Sequence, residues 1–155
     1  MKRFRLSLAV FVCLLTVSQV TAQEKRGRTF VDDLEQAVVS DPQLSPDGKQ
    51  ILFTIDRADW KQNRRVGHIF RINSDGTGQV QLTFGERGEN APRWSPDGKW
   101  IAFTTRRDPD TSNQIYLLSV AGGEARRLTN HPTSPGNLTW APDSKGLYFV
   151  AADDK

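Results

Sequence analysis

Of the side chains that most often perform chemistry, this 155-residue chain holds two histidines, His68 and His131, and one cysteine, Cys13. Two imidazoles 63 positions apart are too few and too scattered for zinc, which needs several ligands at set spacings. His68 opens an apolar strand-like run and reads as a structural or exposed residue. Asp108-Pro109-Asp110-Thr111-Ser112-Asn113 places oxygens at the spacing of a calcium loop, but the closing position that needs a bidentate glutamate is Ser119, so it reads as a polar loop. Asn73-Ser74-Asp75-Gly76-Thr77-Gly78 lacks the lysine and following helix of a phosphate cradle and reads as a hairpin turn. None of the residues two places after the twelve glycines is a serine, so the chain contains no Gly-x-Ser-x-Gly nucleophile elbow. Asn137-Leu138-Thr139 satisfies the glycosylation acceptor rule, yet its place before Trp140 makes it strand sequence. The expectation is a chain with no catalytic, cofactor-binding or metal-binding residue and no cofactor.

The elements that carry these residues are repeats. Trp94-Ser95-Pro96-Asp97-Gly98-Lys99-Trp100-Ile101-Ala102-Phe103-Thr104 has a close copy from Leu44 to Thr54 and another from Trp140 to Val150. Pro46, Pro96 and Pro142 stand 50 and then 46 residues apart, a period of propellers and solenoids. Proline pre-sets the second position of a tight turn, serine and aspartate bond to nearby backbone, and glycine supplies the left-handed residue that ends it. The alternation after the turn predicts a strand packed on both faces. Trp94 and Trp140 hold equivalent positions and are expected to pack between blades.

His68–Ile72 and Gln114–Leu118 read as further strands, each followed by a glycine-bearing turn and a closing strand, Gln79–Thr83 or Glu124–Thr129. Four short antiparallel strands per period make a propeller blade. The fold class is therefore all-β, an incomplete β-propeller of about two and a half four-stranded blades. The expected boundaries are residues 37–87 and 88–133 for two blades and 134–155 for part of a third, together the truncated propeller 37–155. The extra four residues of the first interval are expected to enlarge a loop containing Arg57, Asp59, Trp60, Lys61, Arg64 and Arg65, with Trp60 the tryptophan suited to a surface role. Because later blades should cover the third, Leu147 and Phe149 are expected to lie on a bare apolar face and the chain alone to associate.

Upstream, Lys2, Arg3 and Arg5 precede an apolar run from Leu6 to Val20 and a small-residue site at Val20-Thr21-Ala22, which predicts a signal peptide over residues 1–22 and export to periplasm or medium. The run is too short for a typical membrane span. Without the leader, 18 Lys and Arg balance 18 Asp and Glu, and Cys13 is gone. A neutral chain without a basic stripe gives no electrostatic reason for a nucleic-acid partner, and no membrane partner is expected after cleavage. Residues 23–36 read as a charged linker and a short helix capped near Thr29.

Val39-Ser40-Asp41-Pro42-Gln43-Leu44-Ser45-Pro46-Asp47-Gly48-Lys49, with Gly122-Gly123-Glu124-Ala125-Arg126-Arg127-Leu128-Thr129, resembles the N-terminal propeller of exported prolyl oligopeptidase family serine peptidases, in the acylaminoacyl-peptidase and dipeptidyl-peptidase branch. TolB-like periplasmic propellers and some secreted lyases share the Ser-Pro-Asp-Gly repeat. The helix and Ser-Asp-Pro-Gln-Leu before the first turn favour the peptidase. The resemblance implies an α/β-hydrolase domain after further blades, which carries catalysis, and a propeller that filters peptide substrate. No position of this chain matches the family's triad.

Overall fold

A computed structural model describes residues 26–153. The expected leader and its Cys13 lie outside the described residues. Thr29 caps a single-turn helix, α1 (Phe30–Glu35), through a reciprocal pair in which its hydroxyl accepts from Asp32 N while Asp32 accepts from Thr29 N. Arg65 holds the other end, donating to the carbonyls of Leu34 at 3.0 Å and Gln36 at 2.7 Å.

Two antiparallel sheets follow. The first contains β1 (Val38–Leu44), β2 (Gln50–Asp59), β3 (Arg64–Asn73) and β4 (Val80–Gln81), and the second β5 (Glu89–Trp94), β6 (Trp100–Thr105), β7 (Gln114–Ser119) and β8 (Arg126–Arg127), each in sequential order. A third pair, β9 (Gly136–Trp140) and β10 (Leu147–Val150), repeats the opening hairpin. These are propeller blades, with β1, β5 and β9 as neighbouring first strands.

The repeated turn has the expected chemistry. Gly48 N donates to Ser45 O, and Gly98 N to Ser95 O, both at 2.9 Å, with the glycines at φ +72° and +70°. Ser45 and Ser95 hydroxyls donate to Asp47 and Asp97, and with the amides of Lys49 and Lys99 hold those carboxyls below their ordinary range. In the third copy Ser144 takes the left-handed position at φ +61°. A Cβ added at Gly98 would meet nothing within 4 Å, so a side chain there tests backbone strain alone. Gly98→Val is expected to cost on the order of 1–3 kcal/mol, measured by denaturant unfolding.

A second repeated device escaped the sequence reading. Asp41, Ala91 and Asn137, spaced as the turn prolines are, adopt φ of +50°, +53° and +48°. The β1–β2 ladder shifts register between Ser40 and Gln43, and the β5–β6 ladder between Asn90 and Arg93. Pro42 and Pro92 follow the left-handed residue at these bulges, where a proline costs no ladder bond. Asn137 thus has a backbone reason for its type, since asparagine tolerates this conformation.

One expectation is corrected. The four extra residues of the first interval lengthen strands instead of enlarging a loop. The β2–β3 ladder runs from Gln50–Asn73 pairing to Asp59–Arg64, whereas β6–β7 stops at Thr105–Gln114 and leaves the loop to the second blade. Arg57, Arg64 and Arg65 are strand residues, because continued cross-strand pairing satisfies backbone groups that a loop would leave to water.

The core sits between blades. Leu52 and Ile69 of the first sheet pack with Ile101, Phe103, Tyr116 and Leu118 of the second. Ala102, Ile115 and Leu117, on the opposite face, pack with Leu138 of the third, and Trp100, Trp140 and Leu147 close that cluster. Both tryptophans at the repeated position reach into the preceding blade: Trp94 Nε1 donates to Gln43 O at 3.2 Å and Trp140 Nε1 to Arg93 O at 3.1 Å. Leu147, expected on a bare face, is half-buried against the second blade, and Phe149 sets its ring edge-on to His131. Phe149 nonetheless stays exposed at 37%, as expected of that face, with Tyr148 and Val150 of β10 at 66% and 64%.

Candidate functional site

The loop from Thr83 to Gly88 carries the chain from the first blade to the second, and a buried carboxylate anchors it. Glu89 opens β5 with no exposed surface. Its Oε2 accepts from His68 Nδ1 at 2.9 Å and its Oε1 from Gly85 N at 2.8 Å. Gly85 must be glycine for this approach, since a Cβ there would stand 2.3 Å from Glu89 Oε1. His68 lies inside β3, half-buried, and is a tie between blades. At the equivalent place in the second blade Gln114 does the same work, accepting from Thr129 Oγ1 and His131 N and donating to His131 O. His131 bonds Thr133 through Nδ1. Among the described residues neither ring nitrogen pairs with a serine hydroxyl.

The anchored loop presents Phe84, 74% exposed, above two clefts. One, of about 580 Å³, is lined by Arg57, Trp60, Lys61, His68, Phe84 and Gly85, among others. The second, about 410 Å³, lies between the blades and includes Leu82, Phe84, Arg107, Leu118 and Glu124. Trp60, the tryptophan singled out from sequence, is 56% exposed at the first cleft. Phe84 and Arg107 were missed. The position of Arg107 eleven residues after Pro96, matching Arg57 after Pro46, is the signal that points to it.

The Asp108–Asn113 segment is a polar loop built around one carboxylate. Asp110 accepts from Tyr116 Oη at 2.7 Å and pairs with Arg127. Burial pushes its carboxyl up, but the bonds from Tyr116 and Arg127 prevail and hold it below the ordinary range. Burial, with the Asp110 bond added, pushes the Tyr116 phenol up to about 12. Among the described residues no group of three or more His, Cys, Asp or Glu side chains could hold a metal ion. Because the carboxyl is held below its unfolded value of about 3.9, its stabilisation is complete above that pH and is lost as pH falls through the folded value. Asp110→Asn is expected to cost about 1–3 kcal/mol at neutral pH, with a difference from the parent that shrinks in acid. Denaturant unfolding at pH 7 and pH 3 is the check.

Comparison with known proteins agrees with this architecture. The family model described as the dipeptidyl peptidase IV (DPP IV) N-terminal region matches residues 1–121. The uncharacterized peptidase YuxL of Bacillus subtilis is 35% identical over 122 residues, covering 78% of this chain and 18% of that protein. Dipeptidyl-peptidase 5 of Porphyromonas gingivalis is 36% identical over 112 residues, 72% of this chain and 16% of its own length. The chain thus spans under a fifth of these curated relatives. Among solved structures, Pyrococcus horikoshii acylaminoacyl peptidase superposes with a TM-score of 0.64 at 22% identity, over 77% of this chain and 18% of that one, a likeness of fold. A putative TolB from Agrobacterium tumefaciens gives 0.59 at 29% identity, over 76% of this chain and 39% of that one. With its repeated blades, inter-blade core and match over residues 1–121, the chain belongs to the dipeptidyl peptidase IV N-terminal region family.

Proposed function

We propose that this chain is the non-catalytic propeller portion of an exported serine peptidase of the prolyl oligopeptidase kind. Its blades restrict which peptides reach a hydrolase domain encoded elsewhere in the parent protein. The observation that carries this reading is the row of packed blades in a family of dipeptidyl-peptidase N-terminal regions, together with a sequence that holds no nucleophile elbow. First strands that neighbour one another, β1, β5 and β9, are the geometry that surrounds a propeller channel. The leader directs the protein out of the cytoplasm, with Gln23 as the mature N-terminus.

The test is turnover by the parent protein of a graded series of substrates, from dipeptidyl chromogenic amides to a folded protein. Cleavage confined to short peptides is expected, with no cleavage by the 155-residue chain alone. Equal cleavage of the folded protein would overturn the filter. The likeness to a putative TolB at 29% identity supports a second reading, a protein-interaction propeller, which predicts no hydrolysis by the parent at all.

A further inference from the structure

We propose that the cleft at the tip of the β2–β3 hairpin is a binding site for a neutral oligosaccharide, whose pyranose faces stack on Trp60 and Phe84 and whose hydroxyls bond the charged groups that share the cleft. This reading goes beyond the peptidase assignment and does not depend on it, since it concerns binding to this chain alone.

The two aromatics are the residues that point there. Trp60 sits in the turn that closes the hairpin and is 56% exposed, and Phe84, in the loop between the blades, is 74% exposed. Neither is demanded by the repeat. At the 46-residue period Phe84 corresponds to Asn130, and the second blade's ladder stops at Thr105–Gln114 where the first runs on to Asp59–Arg64, so the hairpin tip has no counterpart. Exposed aromatic surface that packing does not require marks a contact site. The two elements are braced against each other before any ligand arrives. Arg64 of β3 donates to the carbonyls of Glu86 at 2.5 Å and Arg87 at 3.3 Å, which ties hairpin to loop. Asp59 Oδ1 accepts from Lys61 N at 3.0 Å and Gln62 N at 3.1 Å, which sets the turn carrying Trp60, while Glu89 holds Gly85 beside Phe84. Elements fixed in this way lose little further freedom on binding.

The polar lining decides the class of ligand. At about 580 Å³ the cleft falls in the size range of small-molecule sites. Its two cations, Arg57 and Lys61, are matched by two carboxylates, Asp59 and Glu86. Among the described residues Arg57, Lys61 and Glu86 form no ion pair, and His68 engages Glu89 through Nδ1 alone, which leaves its second ring nitrogen for a ligand. A charged ligand would gain one sign and meet the other. A sugar hydroxyl donates to a carboxylate and accepts from a cation, so a neutral polyol uses both. The C–H groups of a pyranose, in turn, suit the electron-rich face of an aromatic ring. Aromatic walls, free donors and acceptors together and balanced charge fit a neutral carbohydrate better than an anion such as a nucleotide.

Calorimetric titration of the chain with cellotetraose, maltotetraose, chitotetraose and tetragalacturonate tests the site. At least one of the three neutral tetrasaccharides is expected to bind, at least about tenfold more tightly than the acidic one. Trp60→Ala and Phe84→Ala, both at exposed positions outside the core, should each weaken that ligand about tenfold. Trp60→Phe, which keeps a ring, should retain part of the affinity. Saturation with the sugar should shift the tryptophan emission of the unaltered chain and leave that of Trp60→Phe unchanged, which places the ligand on this residue. Absence of binding by all three neutral tetrasaccharides, equal affinity for tetragalacturonate, undiminished binding by Trp60→Ala, or an emission shift that persists in Trp60→Phe would overturn the assignment.

Discussion

Glu89→Ala is expected to destabilise the protein by on the order of 3 kcal/mol. The side chain has no exposed surface and serves two donors at once, His68 Nδ1 at 2.9 Å and Gly85 N at 2.8 Å, so its removal strands both and opens a void. Glu89→Gln should cost less, since the amide oxygen still accepts from one of the two. Denaturant unfolding gives the magnitudes. Amide exchange gives the location, with the alanine variant faster throughout the Thr83–Gly88 loop. An alanine variant within about 0.5 kcal/mol of the parent would mean that the carboxylate is not the anchor of the inter-blade loop.

Phe103→Ala should be at least as severe, about 3–5 kcal/mol. Phe103 is fully buried, stacks on Tyr116 with centroids 6.1 Å apart, and lies in the cluster that joins Leu52 and Ile69 of the first blade to the second. Because each blade buries its faces against its neighbours, the cavity should loosen the docking of two sheets and not one sheet alone. Loss of protection in β2 and β3 as well as in β6 and β7, read by hydrogen exchange, is the expected pattern. Loss confined to β6 and β7 would contradict docking through this cluster.

What the sequence made legible was whatever repeats by side-chain type. The Ser-Pro-Asp-Gly turns, the two-faced strands and the inter-blade tryptophans all follow from residues whose chemistry permits little else at that place. The bulges were hidden because Asp41, Ala91 and Asn137 share a backbone conformation without sharing a side chain. Strand length was misjudged for a related reason: Asp59, Trp60, Lys61 and Arg64 are polar or aromatic residues of loop-like composition, while cross-strand pairing decides where β2 ends. The Glu89 anchor joins residues 21 apart in sequence, across two blades, and neither partner departs from the composition around it. Phe84 lies outside the repeated residue types, so no sequence signal marked it, and its exposure follows from the loop it occupies, which Glu89 anchors through Gly85.

The central claim is that this propeller serves a peptidase whose nucleophile lies outside it. A fluorophosphonate serine-hydrolase probe, applied to the 155-residue chain and to the parent protein translated to the end of its gene, tests it most directly. The account predicts no labelling of the chain and stoichiometric labelling of the parent, at a serine beyond Lys155, abolished when that serine is replaced. Labelling of the chain itself, lost on replacing one of its own serines, or a parent that takes no label, would contradict it.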